Sequence, residues 1–439
     1  MNNAKFRKVL SLVTASTLIS AMVLSSCTFI QTETAAEETT AASETTTETT
    51  ETTVATTTSE TTEATTTATE ETSATTSETT AALSPNDEIS KLKNVNGNVW
   101  INEDAQYSAV VNELLKQTDK GAISGSLIVA TDTDVIFASG TGLKDINGKE
   151  VTPYTTYEAG SISKSFAAVC IMKLVEDGKL TLNTTLGEIF PEYKNCKRFD
   201  KNSKITVSDL LYMRSGIPDD PVKFFGVDLA LSYVQDENRT PEESQRDFYK
   251  KVEGKTYMEC LFSCELGFDP GTQYEFADAN YYILALIVED VAGMPYEDYV
   301  NKVILAPCAM TSSSSMAYGD ITAALPKDTF YNPFEGSMGA KDIHSTVTDI
   351  LNFDRALFGG KLLKSDTSKV LLTPADTYAG GWTVETNGLY HCESDTFAFH
   401  GHNYVFEQNG KRYYVIMFTA VGDKSPENVW KSISPLLGK

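Results

Sequence analysis

A serine and a lysine three residues apart are the residues of this sequence whose types and spacing best suit covalent chemistry. Ser161 and Lys164 follow Gly160 and open an apolar segment that is predicted to be helical. On a helix this spacing puts the hydroxyl and the amine on one face, within reach of each other. The N-terminal end of a helix favours developing negative charge, and a lysine made neutral by burial could remove the serine proton. Ser161 is therefore a candidate nucleophile and Lys164 its candidate base.

The segments around this pair predict strands, then helices, then strands again. Apolar stretches at 126–130 and 135–138 flank a polar loop and indicate a β-hairpin. The Ser161 helix keeps its apolar periodicity as far as Asp177 and stops at Gly178. The middle of the chain, from 182 to 318, is predicted to be mainly helical, most clearly at 280–292.

The C-terminal part is predicted to return to strands. Three strands are expected at 381–384, 396–407 and 411–419, and Asn409-Gly410 supplies a tight hairpin turn between the last two. Two strand-rich ends enclosing a helical middle predict an α+β fold, in which one antiparallel sheet is formed from both ends of the domain.

The surroundings of Ser161 resemble the β-lactamase-related serine hydrolases, a family that includes class C β-lactamases, D-alanyl-D-alanine carboxypeptidases and esterases. The matching stretches are 156–166, 174–180, 205–211, 215–218, 270–271, 340–346 and 381–382. The resemblance implies a sheet with helices on both faces, a helical second lobe and a site in the cleft between them. It also implies that Ser161 forms an acyl-enzyme with Lys164 as its partner, without a metal or organic cofactor.

The second motif of the family, Tyr-x-Asn, is altered in this sequence. The corresponding residues are Phe276-Ala277-Asp278. A phenyl ring lacks the hydroxyl that delivers a proton to the leaving group. Tyr274 would replace it only by a shift of register, and the intact landmarks on both sides argue against one. If Asp278 approaches Lys164, its carboxylate stabilises the ammonium form and makes a poorer base; alternatively, Asp278 acts as a base itself.

The third motif, normally Lys or His, any residue, then Gly, is assigned to His400-Gly401-His402. The resemblance implies that the strand near His400 supplies an oxyanion-hole N–H together with that of Ser161. Residues two apart on a strand share a face, so the His402 imidazole would stand where the family keeps space for the substrate. Either the pocket is narrowed or the strand is shifted. It is a candidate replacement base, and a structural role is the alternative.

Zinc is considered for His391, Cys392, His400 and His402, whose side chains are of the types that zinc prefers. Their spacing matches no compact zinc pattern, and the family resemblance already accounts for His400. No metal site is therefore predicted.

The N-terminus is predicted to be an export signal followed by a lipid attachment site. Basic residues precede an apolar stretch at 9–24, and Leu24-Ser25-Ser26-Cys27 resembles a bacterial lipobox. The alternatives are an ordinary cleaved signal and a membrane-spanning helix, although polar residues interrupt the apolar stretch. We predict a signal peptide at 1–27, lipidation of Cys27, and an extracytoplasmic protein held at the cell membrane.

The composition beyond Cys27 predicts a stalk and excludes one class of partner. Residues 28–90 are mostly Thr, Glu, Ala and Ser, with too little apolar surface to offset the cost of ordering the backbone. They are predicted to be disordered and to carry the hydrolase domain at 91–439. A formal net charge of −24 argues against nucleic acid as a partner.

The sequence leaves three functions open. The first is a serine hydrolase acting on a D-Ala-D-Ala-type peptide, an amide or a small ester. The second is a degenerate relative that binds cell-wall peptide or a protein without turnover. The third is a surface adhesin or scaffold with an incidental cleft. Intact Ser161 and Lys164 favour the first, whereas Phe276 and His402 favour the second.

Overall fold

The computed structural model describes residues 84–219, 257–315, 322–323, 338–396 and 398–439. Twelve α-helices occur in these residues: α1 Pro85–Lys91, α2 Ser108–Asp119, α3 Ser163–Glu176, α4 Leu186–Ile189, α5 Phe199–Asn202, α6 Val207–Leu211, α7 Tyr257–Leu261, α8 Ala279–Ala292, α9 Tyr296–Val300, α10 Val347–Phe358, α11 Ser365–Leu372 and α12 Ser425–Ile433.

Twelve strands occur in the same described residues: β1 Lys93–Asn94, β2 Val99–Ile101, β3 Gly125–Thr131, β4 Val135–Thr141, β5 Tyr157–Glu158, β6 Ser314–Ser315, β7 Ile343–Ser345, β8 Tyr378–Ala379, β9 Trp382–Val384, β10 Tyr390–Asp395, β11 Phe399–Gln408 and β12 Lys411–Ala420. None of the described helices combines the length and apolar character needed to cross a membrane.

The main sheet joins the two ends of the domain, as predicted. Its nine strands lie in the order β1-β2-β4-β3-β12-β11-β10-β9-β8, with antiparallel pairing throughout. The contact between β12 and β3 pairs Met417 with Leu127 and closes the C-terminal strands onto the N-terminal hairpin. The tight turn between β11 and β12 has Asn409 and Gly410 at φ values of 53° and 73°, the left-handed region that a two-residue hairpin requires.

Helices cover both faces of the sheet because side chains alternate along its central strands. On β3, Leu127 and Val129 belong to the apolar cluster that contains residues of α2 and α12. Ile128 and Ala130 belong to the larger cluster that contains α3 and α8. Helix α3 is therefore at the centre of the domain, and all but three of its 14 residues are buried. This is the pattern expected of a helix that is apolar on every side.

Two sequence predictions of local structure are wrong. Residues 390–395 form strand β10, which lies between β9 and β11, although no strand was expected there. Pairing with β11 overrides the weak strand propensity of Glu393, Ser394 and Asp395. The end of the predicted stalk is also structured: α1 is part of the fold, and its Glu88 accepts from Arg355 of α10 at 2.7 Å. The remainder of the predicted stalk and the signal segment lie outside the described residues.

A second, three-stranded sheet fixes the backbone beside the start of α3. Its order is β5-β7-β6, and β5 leads directly into the turn that carries Ser161. The Ala159 N–H donates to the Ile343 carbonyl at 2.8 Å, and the Ile343 N–H donates to Ser163 Oγ at 2.9 Å. These bonds hold the start of β7 against the first turn of α3.

Candidate active site

Ser161 lies in a short 3₁₀ turn, Gly160–Ile162, immediately before α3. Gly160 has φ +50°, and a Cβ at this position would lie 2.1 Å from Ser394 Oγ of β10. Only glycine permits this close approach of the turn to the strand. Ser161 is consequently held between the N-terminal end of α3 and the strand β10.

Lys164 reaches back from the first turn of α3 to Ser161. Its side chain is 1% exposed, and Nζ donates to Ser161 Oγ at 3.0 Å and to the Ala340 carbonyl at 3.2 Å. Asp278 Oδ1 lies 2.7 Å from the same nitrogen, and the Phe276 ring centroid lies 5.1 Å from it. The ammonium group thus has three oxygen partners and an aromatic face around it.

Asp278 lies between two lysines at the N-terminal end of α8. Its Oδ2 is 2.8 Å from Lys341 Nζ, while its Oδ1 faces Lys164, and its backbone N–H donates to Asp219 Oδ1 at 3.0 Å. Burial raises the pKa of Asp278, but the two ammonium groups more than offset this and hold it well below its ordinary value. Asp278 is therefore a carboxylate at neutral pH, so it is a poor base for Ser161.

Asp278→Asn should lower the free energy of unfolding at neutral pH by roughly 1–3 kcal/mol, because it removes the carboxylate beside a buried ammonium group. A group with a depressed native pKa stabilises fully above its ordinary pKa, near 4 for aspartate, and loses that contribution as the pH falls through the native pKa. Urea unfolding should therefore show a larger difference in the free energy of unfolding between variant and wild type at pH 7 than at pH 3.

The matched control for this comparison is Asp269→Asn. Asp269 pairs with Lys201 at 3.0 Å on the surface, where its side chain is 75% exposed. Such a pair contributes roughly 0–1 kcal/mol. If Asp278→Asn lowers the free energy of unfolding no more than the control does, or by the same amount at both pH values, Asp278 is not a carboxylate stabilised by the two lysines.

A cleft of about 170 Å³ opens over Ser161 and Lys164. This volume is small compared with the ~300–1,000 Å³ of typical ligand pockets, and it suits a short acyl group or a single amino-acid side chain. The other lining residues are Phe276, Tyr378, Gly381, Thr383, His391, Cys392 and Glu393.

The prediction that His400, Gly401 and His402 edge this site is wrong. The strand beside Ser161 is β10, and β11, which carries these three residues, is one strand further from the site. His402 pairs with Glu393 across the sheet and interacts with Tyr404, whose ring stacks on Trp430 of α12 at 4.2 Å. Both imidazoles therefore face α12, on the side of the sheet opposite α3.

Gly401 has a packing role instead. A Cβ at this position would lie 2.6 Å from the Phe418 ring on β12, so the absence of a side chain lets Phe418 pack into the core. The strand that does edge the cleft contributes His391-Cys392-Glu393, with glutamate in the third position. Among the described residues, β9 pairs with β10 only as far as His391, and this leaves the outer edge of 392–395 facing the Ser161 turn. The strand near His400, which was expected to supply an oxyanion-hole N–H, therefore does not edge the cleft.

Three contributors to the site were missed by sequence reasoning. Lys341 and the Ala340 carbonyl lie in the 340–346 stretch, which had been recognised only as a family landmark. Gly381 has φ +98°, and a Cβ there would lie 2.5 Å from the Ser165 backbone nitrogen. Glycine immediately before β9 thus allows the chain to contact α3, and the Gly381-Trp382 pair was the available signal.

The chain belongs to the β-lactamase family, since the family model described as "Beta-lactamase" matches residues 109–421. Its members and structural neighbours are serine hydrolases and penicillin-binding protein homologues. This agrees with the resemblance inferred from the sequence motifs and with the observed antiparallel sheet and helices.

Individual relatives match over more limited stretches. Protein flp of Staphylococcus aureus is 29% identical over 197 residues, which cover 44% of this chain and 35% of that protein. The putative penicillin-binding protein PbpX of Bacillus subtilis is 25% identical over 275 residues, covering 60% of this chain and 62% of that one. The chain thus covers less than two thirds of the length of each.

Among solved structures, the D-amino acid amidase of Ochrobactrum anthropi bound to L-phenylalanine amide superposes with a TM-score of 0.56. The identity is 20%, and the match covers 76% of this chain and 97% of the amidase. At this identity the likeness establishes the fold alone.

Proposed function

We propose that this protein is a membrane-anchored, extracytoplasmic serine hydrolase that forms an acyl-enzyme at Ser161. Its substrates are a D-Ala-D-Ala-type peptide, an amide or a small ester. The observation that carries the proposal is the 3.0 Å contact between Lys164 Nζ and Ser161 Oγ beneath an open cleft. At this distance a proton can pass from the serine hydroxyl to the lysine nitrogen as the ammonium group gives one of its own protons to Asp278.

The acylation step follows from the contacts of Lys164. Ser161 Oγ attacks the substrate carbonyl carbon while its proton passes to Lys164 Nζ, and Lys164 gives one of its own protons to Asp278 Oδ1. The backbone N–H of Ser161 and one from β10 stabilise the oxyanion. Collapse of the tetrahedral intermediate expels the leaving group, and water then hydrolyses the Ser161 ester. Because the pKa of Asp278 is low, its carboxylate is a weak acceptor for the proton from Lys164, and we expect slow acylation.

The leaving group determines which substrates suit this site. Phe276 faces Lys164 where the family has a tyrosine, so no phenol is available there to protonate a departing amine. An alkoxide or phenolate leaves with less protonation than an amine does. We therefore place esters ahead of amides as substrates, and activated amides ahead of ordinary peptides.

The named relatives support the chemical class of the substrate. One curated relative is named as a putative penicillin-binding protein, and one structural neighbour is a D-amino acid amidase. Penicillin is a cyclic amide, and the amidase is named for the amides of D-amino acids, so an amide carbonyl is common to both names. The small cleft over Ser161 matches an acyl group of that size.

The alternative is a protein that binds cell-wall peptide, or another protein, without turnover. Two observations favour it: Phe276 has no hydroxyl, and Asp278 pairs with Lys164 at 2.7 Å. Both changes weaken proton transfer and leave the cleft open.

Covalent labelling of the full chain separates the two functions. The protein is incubated with a fluorescent penicillin, an activated ester and a D-amino-acid amide, then digested and analysed by mass spectrometry. An acyl adduct on the peptide that contains Ser161 supports the hydrolase. Absence of any adduct, with retained binding of peptidoglycan fragments, would establish the non-catalytic alternative.

The membrane anchor is proposed from Cys27 and its lipobox-like context. The predicted stalk would then separate the domain from the membrane. Cys27→Ala should move the protein from the detergent phase to the aqueous phase in a phase-partition assay. A variant that stays in the detergent phase would argue for a spanning or non-lipid anchor instead.

A further inference from the structure

Three potential metal ligands converge on the face of the sheet opposite Ser161, where α12 crosses β11. His400 and His402 are two residues apart on β11, so both imidazoles are on the same face. Glu427 comes from the first turn of α12. The two Nε2 atoms lie 3.1 Å apart, and Glu427 Oε2 lies 3.7 Å from His400 Nε2. One ligand atom from each of the three residues lies within 4.8 Å of the others.

The outer nitrogen of each imidazole has its own partner. His400 Nδ1 lies 2.5 Å from Asp395 Oδ1, and His402 Nδ1 contacts the Tyr404 hydroxyl. A carboxylate can only accept, so His400 Nδ1 carries a proton and His400 Nε2 presents a lone pair to the cluster. Carboxylate or hydroxyl partners of this kind orient the histidines of metal sites.

Glu427 Oε2 is the unexplained atom of the cluster. It is buried and has no hydrogen-bond partner among the described residues. A proton shared between the two imidazoles would satisfy His400 and His402 but would leave this carboxylate oxygen unpartnered. A cation bound to all three atoms would satisfy the whole cluster.

The two distances from His400 Nε2 to the other ligand atoms fit a transition-metal ion. Zinc binds nitrogen at about 2.0–2.1 Å and carboxylate oxygen at about 2.0–2.2 Å, so tetrahedral ligand atoms lie about 3.3 Å apart. The observed 3.1 and 3.7 Å lie on either side of that value. Two imidazoles and one carboxylate also match the ligand types that zinc prefers over calcium or magnesium.

We propose that His400, His402 and Glu427 bind a divalent transition-metal ion, with Zn²⁺ as the best match and water in the fourth position. The ion joins α12 to β11 and, through Asp395, to β10. Because the cluster faces away from Ser161, its role is to stabilise the sheet rather than to react with substrate. The sequence alone paired these histidines with His391 and Cys392, since Glu427 is 25 residues beyond His402.

The test uses the full chain after treatment with a chelator and dialysis. Isothermal titration with ZnCl₂ should show one site per chain, and thermal unfolding should shift upward with Zn²⁺. A cobalt-loaded sample should show the visible absorption of a four-coordinate site. His400→Gln/His402→Gln should abolish these signals, and Glu427→Gln should weaken binding at least tenfold.

Glu407→Gln is the matched control. Glu407 is on the same strand, exposed, and paired with Arg412, so its variant should bind zinc like the wild type. Because His402 is buried, the double variant could lose zinc binding by unfolding. The Glu427→Gln variant avoids this ambiguity, since 35% of the Glu427 side chain is exposed and its replacement should leave the fold intact. No site in the wild type, or unchanged zinc affinity in Glu427→Gln or in the folded double variant, would overturn the proposal.

Discussion

Ser161→Ala should abolish the acyl adduct and lower ester hydrolysis by roughly 10³-fold or more, because the variant has no nucleophile to form the covalent intermediate. The loss should be nearly complete because the neighbouring groups act through that hydroxyl. Lys164 donates to Ser161 Oγ, and Asp278 acts through Lys164. Initial rates with an activated ester, together with intact-protein mass spectrometry, measure the effect.

Ser165→Ala is the matched control because Ser165 also carries a hydroxyl at the N-terminal end of α3, four residues beyond Ser161. Its hydroxyl donates to the Ile162 carbonyl at 2.8 Å and has no contact with Lys164 Nζ among the hydrogen bonds of the described residues. The control should keep the adduct and most of the ester activity. Activity that survives in Ser161→Ala, or that falls equally in both variants, would assign the chemistry to another group.

Much of the fold could be predicted because its signals are local. The β3–β4 hairpin, the Asn409-Gly410 turn and the apolar helix α3 each depend on residues close together in the sequence. The assignment of Ser161 and Lys164 to one helical turn is of the same kind. The spacing of three residues nearly fixes the distance between the two side chains once the helix forms.

The strand that edges the site could not be predicted, and this error displaced the third motif. Strand β10 contains Glu393, Ser394 and Asp395, whose strand propensity is low, and its stability comes from the partner strand β11. Because no strand was predicted at 390–395, the strand that contains His400-Gly401-His402 was expected to be the one that edges the cleft. One missing strand in a sheet therefore moved the predicted motif away from the site.

The charge of the site depends on a contact between distant segments. Sequence reasoning anticipated the consequence of Asp278 near Lys164, but Lys341 comes from a segment more than 60 residues further along the chain. Its ammonium group shares the Asp278 carboxylate, so the three residues form a positively charged cluster rather than a neutral pair. Such an arrangement requires the fold to be known.

Phe276→Tyr should raise the turnover of esters by about 10- to 100-fold, and that of amides at least as much, if leaving-group protonation limits the rate. The ring is 43% exposed and its centroid lies 5.1 Å from Lys164 Nζ. An added hydroxyl would therefore reach solvent or the cleft without a burial cost, and the Lys164 ammonium would favour its ionisation. Steady-state kcat for a matched ester and amide measures the gain, and the thermal unfolding temperature should stay unchanged.

The companion variant Tyr274→Phe decides whether another phenol already serves this purpose. Tyr274 is 39% exposed, and its ring centroid lies 6.0 Å from that of Tyr378, which lines the cleft. If Phe276 marks the missing acid, Tyr274→Phe should leave turnover unchanged in the wild type while Phe276→Tyr raises it. A fall in Tyr274→Phe together with no gain in Phe276→Tyr would show that Tyr274 supplies the proton. If turnover responds to neither change, the rate-limiting step lies before departure of the leaving group. In that case Asp278 limits the rate, because its carboxylate stabilises the Lys164 ammonium group and slows proton removal from Ser161.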